Sequence, residues 1–112
     1  MLKVLIADDE ENIRDGIKAA VDWEKLGYGI CGEADNGVDA LDMALALHPD
    51  LIIADIRMPG MDGLQMVKKL REAEDRSRIL ILSGYSEFRY AKQSIELGVE
   101  AYLLKPIDEA EL

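Results

Sequence analysis

Three aspartates, one serine and one lysine each stand directly behind a short apolar run. Asp8 and Asp9 follow Leu2 to Ala7, and Asp55 follows Leu51 to Ala54. Ser83 follows Ile79 to Leu82, and Lys105 follows Ala101 to Leu104. Carboxylates brought together repel one another, which raises their pKa values and costs stability. A hard divalent cation reverses that penalty, and Mg²⁺ favours one or two protein carboxylates, several waters and a phosphate oxygen. Asp9 and Asp55 suit direct ligation, and Asp8 suits ligation through water. Lys105 facing Asp55 supplies a compact positive charge, and Ser83 supplies a hydroxyl. Cation, lysine and hydroxyl together match the equatorial oxygens of a transferring phosphoryl group.

Each of these residues alone has a plainer explanation. Asp8, Asp9 and Glu10 favour a helix N-terminus electrostatically. Asp55 before a loop reads as a turn residue, and Ser83-Gly84 also reads as a turn. Lys105-Pro106 reads as a surface lysine at a strand end. Their joint placement at successive strand ends outweighs the separate explanations. In an open α/β sheet, ligands bind beyond the carboxyl ends of the strands, where such residues converge.

The elements that must position them alternate along the chain. Leu2 to Ala7, Tyr28 to Ala34, Leu51 to Ala54, Ile79 to Leu82 and Ala101 to Leu104 read as strands, the second weakened by two glycines. Between them lie amphipathic stretches at helical spacing. Glu10 to Asp22 carries Ile13, Ile17, Ala20 and Val21. The next helix, capped by Asn36, carries Val38, Leu41, Ala44 and Leu45. A third, capped by Asp62 after the Pro59-Gly60 loop, carries Leu64, Val67 and Leu70. The fourth opens at Ser86-Glu87 with Phe88, Ala91 and Ile95 inward and stops at Gly98. Asp108 begins a fifth, of which the sequence holds about one turn, too little to sustain itself in water. We therefore expect an incomplete, frayed C-terminal helix. Continuous apolar strands alternating with helices predict a parallel sheet covered on both faces, a doubly wound α/β sandwich.

At 112 residues the chain fits one domain, residues 1–112, and its 49% hydrophobic content supports a real core. A net charge of −10 repels a nucleic-acid backbone and an anionic membrane surface, which argues against both as direct partners. The single cysteine, Cys31, cannot form an internal disulfide; in its apolar stretch it reads as an inert thiol in a reducing compartment. His48, before Pro49 at a helix end, reads as a capping or surface residue. Met1 to Ala7 is too short for a signal peptide, and no run approaches membrane-spanning length, so a cytoplasmic location is expected.

The Asp8-Asp9 pair, the segment Ile53-Ala54-Asp55-Ile56-Arg57-Met58-Pro59-Gly60-Met61-Asp62-Gly63, Leu82-Ser83-Gly84 and Tyr102-Leu103-Leu104-Lys105-Pro106 together resemble the receiver domains of two-component response regulators. The resemblance covers the whole chain. It implies a five-stranded sheet in the flavodoxin-like order 2-1-3-4-5. It implies Asp55 as the phosphoacceptor, charged from the phosphohistidine of a sensor histidine kinase. Asp8, Asp9, Asp55 and the backbone carbonyl of Arg57 would then hold Mg²⁺. Ser83 and Lys105 would contact the phosphoryl group, Ser83 and Tyr102 would form the switch, and the Lys105-Pro106 bond would be cis. Such a domain is a switch rather than an enzyme, catalysing only its own phosphorylation and dephosphorylation and driving an output domain that controls transcription. Trp23-Glu24-Lys25-Leu26-Gly27 and Gly84-Tyr85-Ser86-Glu87-Phe88-Arg89-Tyr90-Ala91 further resemble receivers of regulators with an AraC-type DNA-binding domain, a C-terminal partner not contained in these residues. For Trp23, plain packing at the helix exit is compatible with this. The face formed by the fourth helix and fifth strand is the candidate surface for a dimer.

Two other classes compete. A phosphatase of the haloacid dehalogenase type also uses an aspartyl nucleophile but needs a second Asp two residues on, where this chain has Arg57, and it needs a lid. A receiver-like scaffold that is never phosphorylated has no need of the full set of site residues found here. Stable acylphosphate, turnover or no reaction with a phosphodonor separates the three.

Overall fold

The computed structural model describes residues 1–84 and 88–105. The fifth helix expected from Asp108 and the Lys105-Pro106 peptide lie outside these residues. Strands and helices alternate as β1 (Leu2–Ala7), α1 (Glu11–Ala20), β2 (Tyr28–Ala34), α2 (Gly37–Leu47), β3 (Leu51–Ala54), α3 (Gly63–Glu72), β4 (Arg78–Ser83), α4 (Phe88–Glu96) and β5 (Ala101–Leu104). All strand pairs are parallel, in the order β2-β1-β3-β4-β5. This is the doubly wound arrangement the alternation predicts. It puts β1 and β3 at the centre, so their carboxyl ends, and the aspartates behind them, lie side by side.

Alternation along the strands divides the core into two. Val4, Ile6, Ile53 and Leu82 face one side and pack with Ile17 of α1 and with Trp23. Leu5, Ala7, Ile52, Ala54, Ile79 and Ile81 face the other and pack with Ala40 and Ala44 of α2 and with Leu64, Val67 and Leu70 of α3. Side chains on a strand point alternately to opposite faces, so an unbroken apolar run serves both cores at once. Burying each large side chain contributes about 1.5–3 kcal/mol. The edge strand β2 departs from regular pairing: Val4 aligns with Ile30 and Leu5 with Gly32, leaving Cys31 as the extra residue of a bulge. Cys31 is half-buried against the core, and burial pushes its thiol pKa up, consistent with an inert cysteine.

Local signals in the sequence account for most boundaries. The Asn36 side chain accepts the Asp39 N–H at 2.8 Å. Asp62 and Gln65 form a reciprocal capping box, with bonds of 2.8 and 3.1 Å. His48 caps the end of α2 in a left-handed conformation, φ 48°, donating its N–H to the Ala44 carbonyl. Trp23 is buried at the exit of α1, where its indole N–H donates to the Ile17 carbonyl at 3.1 Å and its ring stands edge-on to Tyr28.

Two helix faces differ from the sequence expectation. In α2, Val38 and Leu45 are exposed, and the buried face is made of Gly37, Ala40 and Ala44. The helix sits so close to the loop after β3 that a Cβ on Gly37 would stand 1.8 Å from the Met61 carbonyl oxygen. Only a small-residue face permits that approach. In α4, Ile95 is 79% exposed rather than inward, and among the described side chains Tyr90 and Ser94 are buried; the opening at Ser86-Glu87 and the side chains of Phe88 and Ala91 lie outside the described residues. The Ser94 hydroxyl donates to the Tyr90 carbonyl at 2.8 Å, which satisfies it inside the core.

Arg71 joins three elements at the opposite end of the sheet from the aspartates. Its guanidinium donates to the carbonyls of Leu97, Gly98, Asp75 and Ser77, so the ends of α3 and α4 and the start of β4 share one cation.

Glycine 63 marks the tightest packing near the aspartates. A Cβ there would lie 2.0 Å from the Asp55 carbonyl oxygen, which is backbone and cannot swing away. Gly16, on the exposed side of α1, has nothing within 4 Å. Gly63→Ala should therefore lose about 2–3 kcal/mol of stability through overpacking. Gly16→Ala should gain about 0.5–1 kcal/mol through helix propensity. Urea denaturation of both variants measures this, and a Gly63→Ala variant as stable as the parent chain would mean that the loop yields.

Candidate functional site

The parallel sheet delivers its polar groups at the carboxyl ends of β1, β3, β4 and β5. The backbone ladder continues just past the strands: the Asp8 N–H donates to Ala34, the Asp55 N–H to Ala7 and the Lys105 N–H to Ser83. The peptides carrying the site are thus held by the sheet itself. Asp8 is 1% exposed and Asp55 5%. Ser83 is fully buried, while Asp9 lies exposed.

Lys105 joins the two buried carboxylates. Its Nζ donates to Asp8 Oδ2 at 2.8 Å and lies 3.4 Å from Asp55 Oδ2. The remaining oxygens are also engaged. Asp8 Oδ1 accepts the Glu10 N–H at 3.0 Å, and Asp55 Oδ1 accepts the Ile56 N–H at 2.8 Å. Burial holds the Asp55 carboxyl above its ordinary pKa, an effect that neighbouring Asp8 adds to and Lys105 only partly offsets. Burial works against the Lys105 charge, but the hydrogen bond to Asp8 and the charge of Asp55 outweigh it, and the lysine pKa is raised.

Asp8, Asp9 and Glu10 place carboxylate oxygens within 4.8 Å of one another. Glu10 was not among the ligands expected from the sequence, where it read only as part of an acidic helix start. The donor set is all hard oxygen and carries an excess of negative charge, which fits a small divalent cation such as Mg²⁺. Both Asp8 oxygens already hold hydrogen bonds, which fits the expected contact through water. The start of α1, directly behind the pair, adds the partial positive charge of a helix N-terminus. Arg57 lies two residues beyond Asp55, its guanidinium carbon 6.0 Å from the centroid of the Tyr90 ring on α4. Tyr102, half-buried on β5, packs against the core shared with α2 and α3. A cavity of about 580 Å³ opens at the other end of the sheet, beside Leu2, His48, Asp75 and Arg78.

The family model of the response regulator receiver domain matches residues 4–112. The chain belongs to that family. It is accordingly a phosphoacceptor signalling domain of two-component systems. It is 42% identical over its whole length to an uncharacterized transcriptional regulatory protein, YesN, of Bacillus subtilis, covering 30% of that protein. It is 38% identical to the transcriptional regulatory protein HptR of Staphylococcus aureus, covering 44%. The receiver thus spans less than half the length of these relatives. Among solved structures it is similar to the receiver domain of AraT, a response regulator from Geobacillus stearothermophilus, with 43% identity, a TM-score of 0.90, and coverage of 98% of this chain and 85% of that one. It is also similar to the receiver domain of the putative response regulator NarL from Mycobacterium tuberculosis, with 34% identity, a TM-score of 0.88 and coverage of 98% and 88%. Among the described residues of the receiver, no helix is long and apolar enough to cross a membrane.

The electrostatics of Asp55 give a signed test. A carboxyl whose folded pKa lies above its unfolded value binds more protons when folded, so its ionisation costs stability as pH rises through that window. Asp55→Asn should therefore melt higher than the parent receiver at pH 7 without divalent cations. A gain of about 1 kcal/mol corresponds to about 4–8 °C in a domain near this size. The gain should vanish below the ordinary Asp pKa, where both forms are neutral. Thermal melts across pH check it, and a variant that melts lower at pH 7 would mean that Lys105 stabilises the charged form outright.

Proposed function

We propose that Asp55 is the residue that accepts the phosphoryl group, from the phosphohistidine of a sensor histidine kinase. The observation that carries this reading is the buried Asp8–Lys105–Asp55 arrangement at adjoining strand ends, with distances of 2.8 and 3.4 Å. An Asp55 carboxylate oxygen attacks phosphorus, a P–O bond forms and the P–N bond breaks. The imidazole nitrogen leaves with the bonding pair and takes up a proton. Lys105, already oriented by Asp8, donates to a phosphoryl oxygen, and the Ser83 hydroxyl donates to another. Asp8, Asp9, Asp55 and the Arg57 carbonyl would hold Mg²⁺, which when bound supplies charge that offsets both the carboxylates and the phosphoryl oxygens.

The phosphoryl group adds about two negative charges and new acceptor oxygens beside Ser83. Movement of Ser83 toward them makes room for Tyr102 to turn inward, and the face of α4 and β5 shifts its population of states. That face is the surface we assign to dimerisation. We read residues 1–112 as the receiver domain of a longer cytoplasmic protein whose C-terminal output domain, of the AraC type, binds DNA and controls transcription. The greater length of YesN and HptR, and their description as transcriptional regulatory proteins, support an output domain that controls transcription. The receiver itself acts as a switch whose catalysis is limited to its own phosphorylation and dephosphorylation.

Incubation with acetyl phosphate and Mg²⁺ should add one phosphoryl mass to the intact protein, and Asp55→Asn should abolish the addition. Stoichiometric labelling that persists in Asp55→Asn would move the acceptor elsewhere, and continuous release of phosphate without accumulation would favour a phosphatase. A ligand that binds only the folded state stabilises it by mass action, by about 2.7 kcal/mol at a hundred times its dissociation constant. Millimolar Mg²⁺ should raise the melting temperature, and Asp9→Ala should remove most of the rise. An equal rise in Asp9→Ala would place the metal outside the acidic pair.

A further inference from the structure

We propose that Arg14 is a positioning residue for the acidic pair, fixing the Asp8–Asp9 peptide through its guanidinium while Glu33 fixes the guanidinium. This rests on the reading of Asp8 and Asp9 as part of a cation site. Arg14 Nη1 donates to the Asp8 carbonyl at 2.7 Å, and Nε donates to Glu33 Oε1 at 3.1 Å. The other Glu33 oxygen accepts Lys18 Nζ at 2.9 Å, and Lys18 also lies 3.2 Å from Asp15. The Arg14 side chain is only 16% exposed. Two bonds from one rigid planar fork set both the place and the plane of the guanidinium, which a lysine cannot reproduce. Bonds that involve a charged partner are also shorter and stronger than neutral ones.

The position of the Asp8 carbonyl gives this contact its meaning. The parallel ladder between β1 and β3 ends with Ala7 paired to Ala54, and the Asp55 N–H turns back to Ala7. The Asp8 carbonyl is thus the first one beyond the ladder, and Arg14 supplies the donor that a neighbouring strand supplies further down. Asp8 is then held at its N–H by Ala34, at its carbonyl by Arg14 and at its carboxylate by Glu10 N–H and Lys105. Asp9 follows that peptide directly and is exposed, so the peptide plane sets the direction in which its carboxylate leaves the chain.

Charge alone makes the opposite prediction. A cation beside Asp8, Asp9 and Glu10 repels a divalent ion, so its removal would tighten Mg²⁺ binding. Positioning predicts weaker binding, because a ligand freed from the partner that orients it loses preorganisation. The measurement is isothermal titration of Mg²⁺ alone into the chain and its Arg14→Met, Arg14→Lys and Glu33→Gln variants, below each variant's melting temperature. Arg14→Met should weaken Mg²⁺ binding by about tenfold, the low end for losing a residue that orients a metal ligand. Arg14→Lys, which keeps the charge and loses the fork, should also weaken it, and Glu33→Gln should do so by a smaller factor. Unchanged or tighter binding in Arg14→Lys and Glu33→Gln would overturn the proposal, even if Arg14→Met fails to fold. Absence of Mg²⁺ binding by the parent chain, or full binding by Asp9→Ala, would instead overturn the cation-site reading and the proposal with it.

Discussion

The lysine held between two buried carboxylates is the constraint around which the rest of the structure is arranged. Like charges that share a buried site cannot stay ionised together without compensation, and Lys105 supplies only one positive charge against Asp8 and Asp55. The imbalance leaves net negative charge at this edge of the sheet. A fully neutralised cluster would have no affinity for a further cation, and a fully exposed one would be screened by water and carry no strain. The fold holds this imbalance in place by building the cluster on peptides that belong to the sheet. The backbone bonds of Asp8, Asp55 and Lys105 to Ala34, Ala7 and Ser83 leave these residues little freedom to separate.

The parallel sheet makes such convergence a matter of topology. In the order β2-β1-β3-β4-β5 every strand ends on the same edge, so residues far apart in sequence arrive together without a dedicated loop. The separation of 97 positions between Asp8 and Lys105 is spanned by a contact of 2.8 Å. The two cores serve the same end. Because β1 and β3 contribute side chains to both, neither strand can shift relative to the other without disturbing packing on both faces.

Much of this was legible in the sequence because it rests on signals that are local and strong. Continuous apolar runs marked the strands, Asn36 and Asp62 marked helix starts, and the polar residues behind the first, third and fifth runs are those that meet as Asp8, Asp55 and Lys105. The sheet order came from the family resemblance. What escaped has a common physical cause. Ala44 was expected inside and is, but the burial of Gly37 and Ala40 in place of Val38 and Leu45 depends on how closely α2 approaches the Met61 peptide, and hydrophobic periodicity favours large residues over small ones. Ile95 points outward while Tyr90 and Ser94, whose polar atoms lower their apparent hydrophobicity, are buried. Glu10 was visible as a residue but not as a neighbour of the other carboxylates. Arg14 carried no signal at all, since its partners are a carbonyl and a glutamate on an edge strand.

The four carbonyls gathered by Arg71 bear on how α4 can move. Its C-terminal end is moored, through Leu97 and Gly98, to the end of α3 and the first residues of β4. A rod fixed at one end responds to a sideways force by swinging, and the travel of its free end scales with its length. The nine residues of α4 span about 13 Å at about 1.5 Å per residue. The opposite end of the helix is the one that follows β4 and Ser83 in the chain. Arg71 thus gives α4 a fixed point at the end of the helix that lies farthest from the charged edge of the sheet.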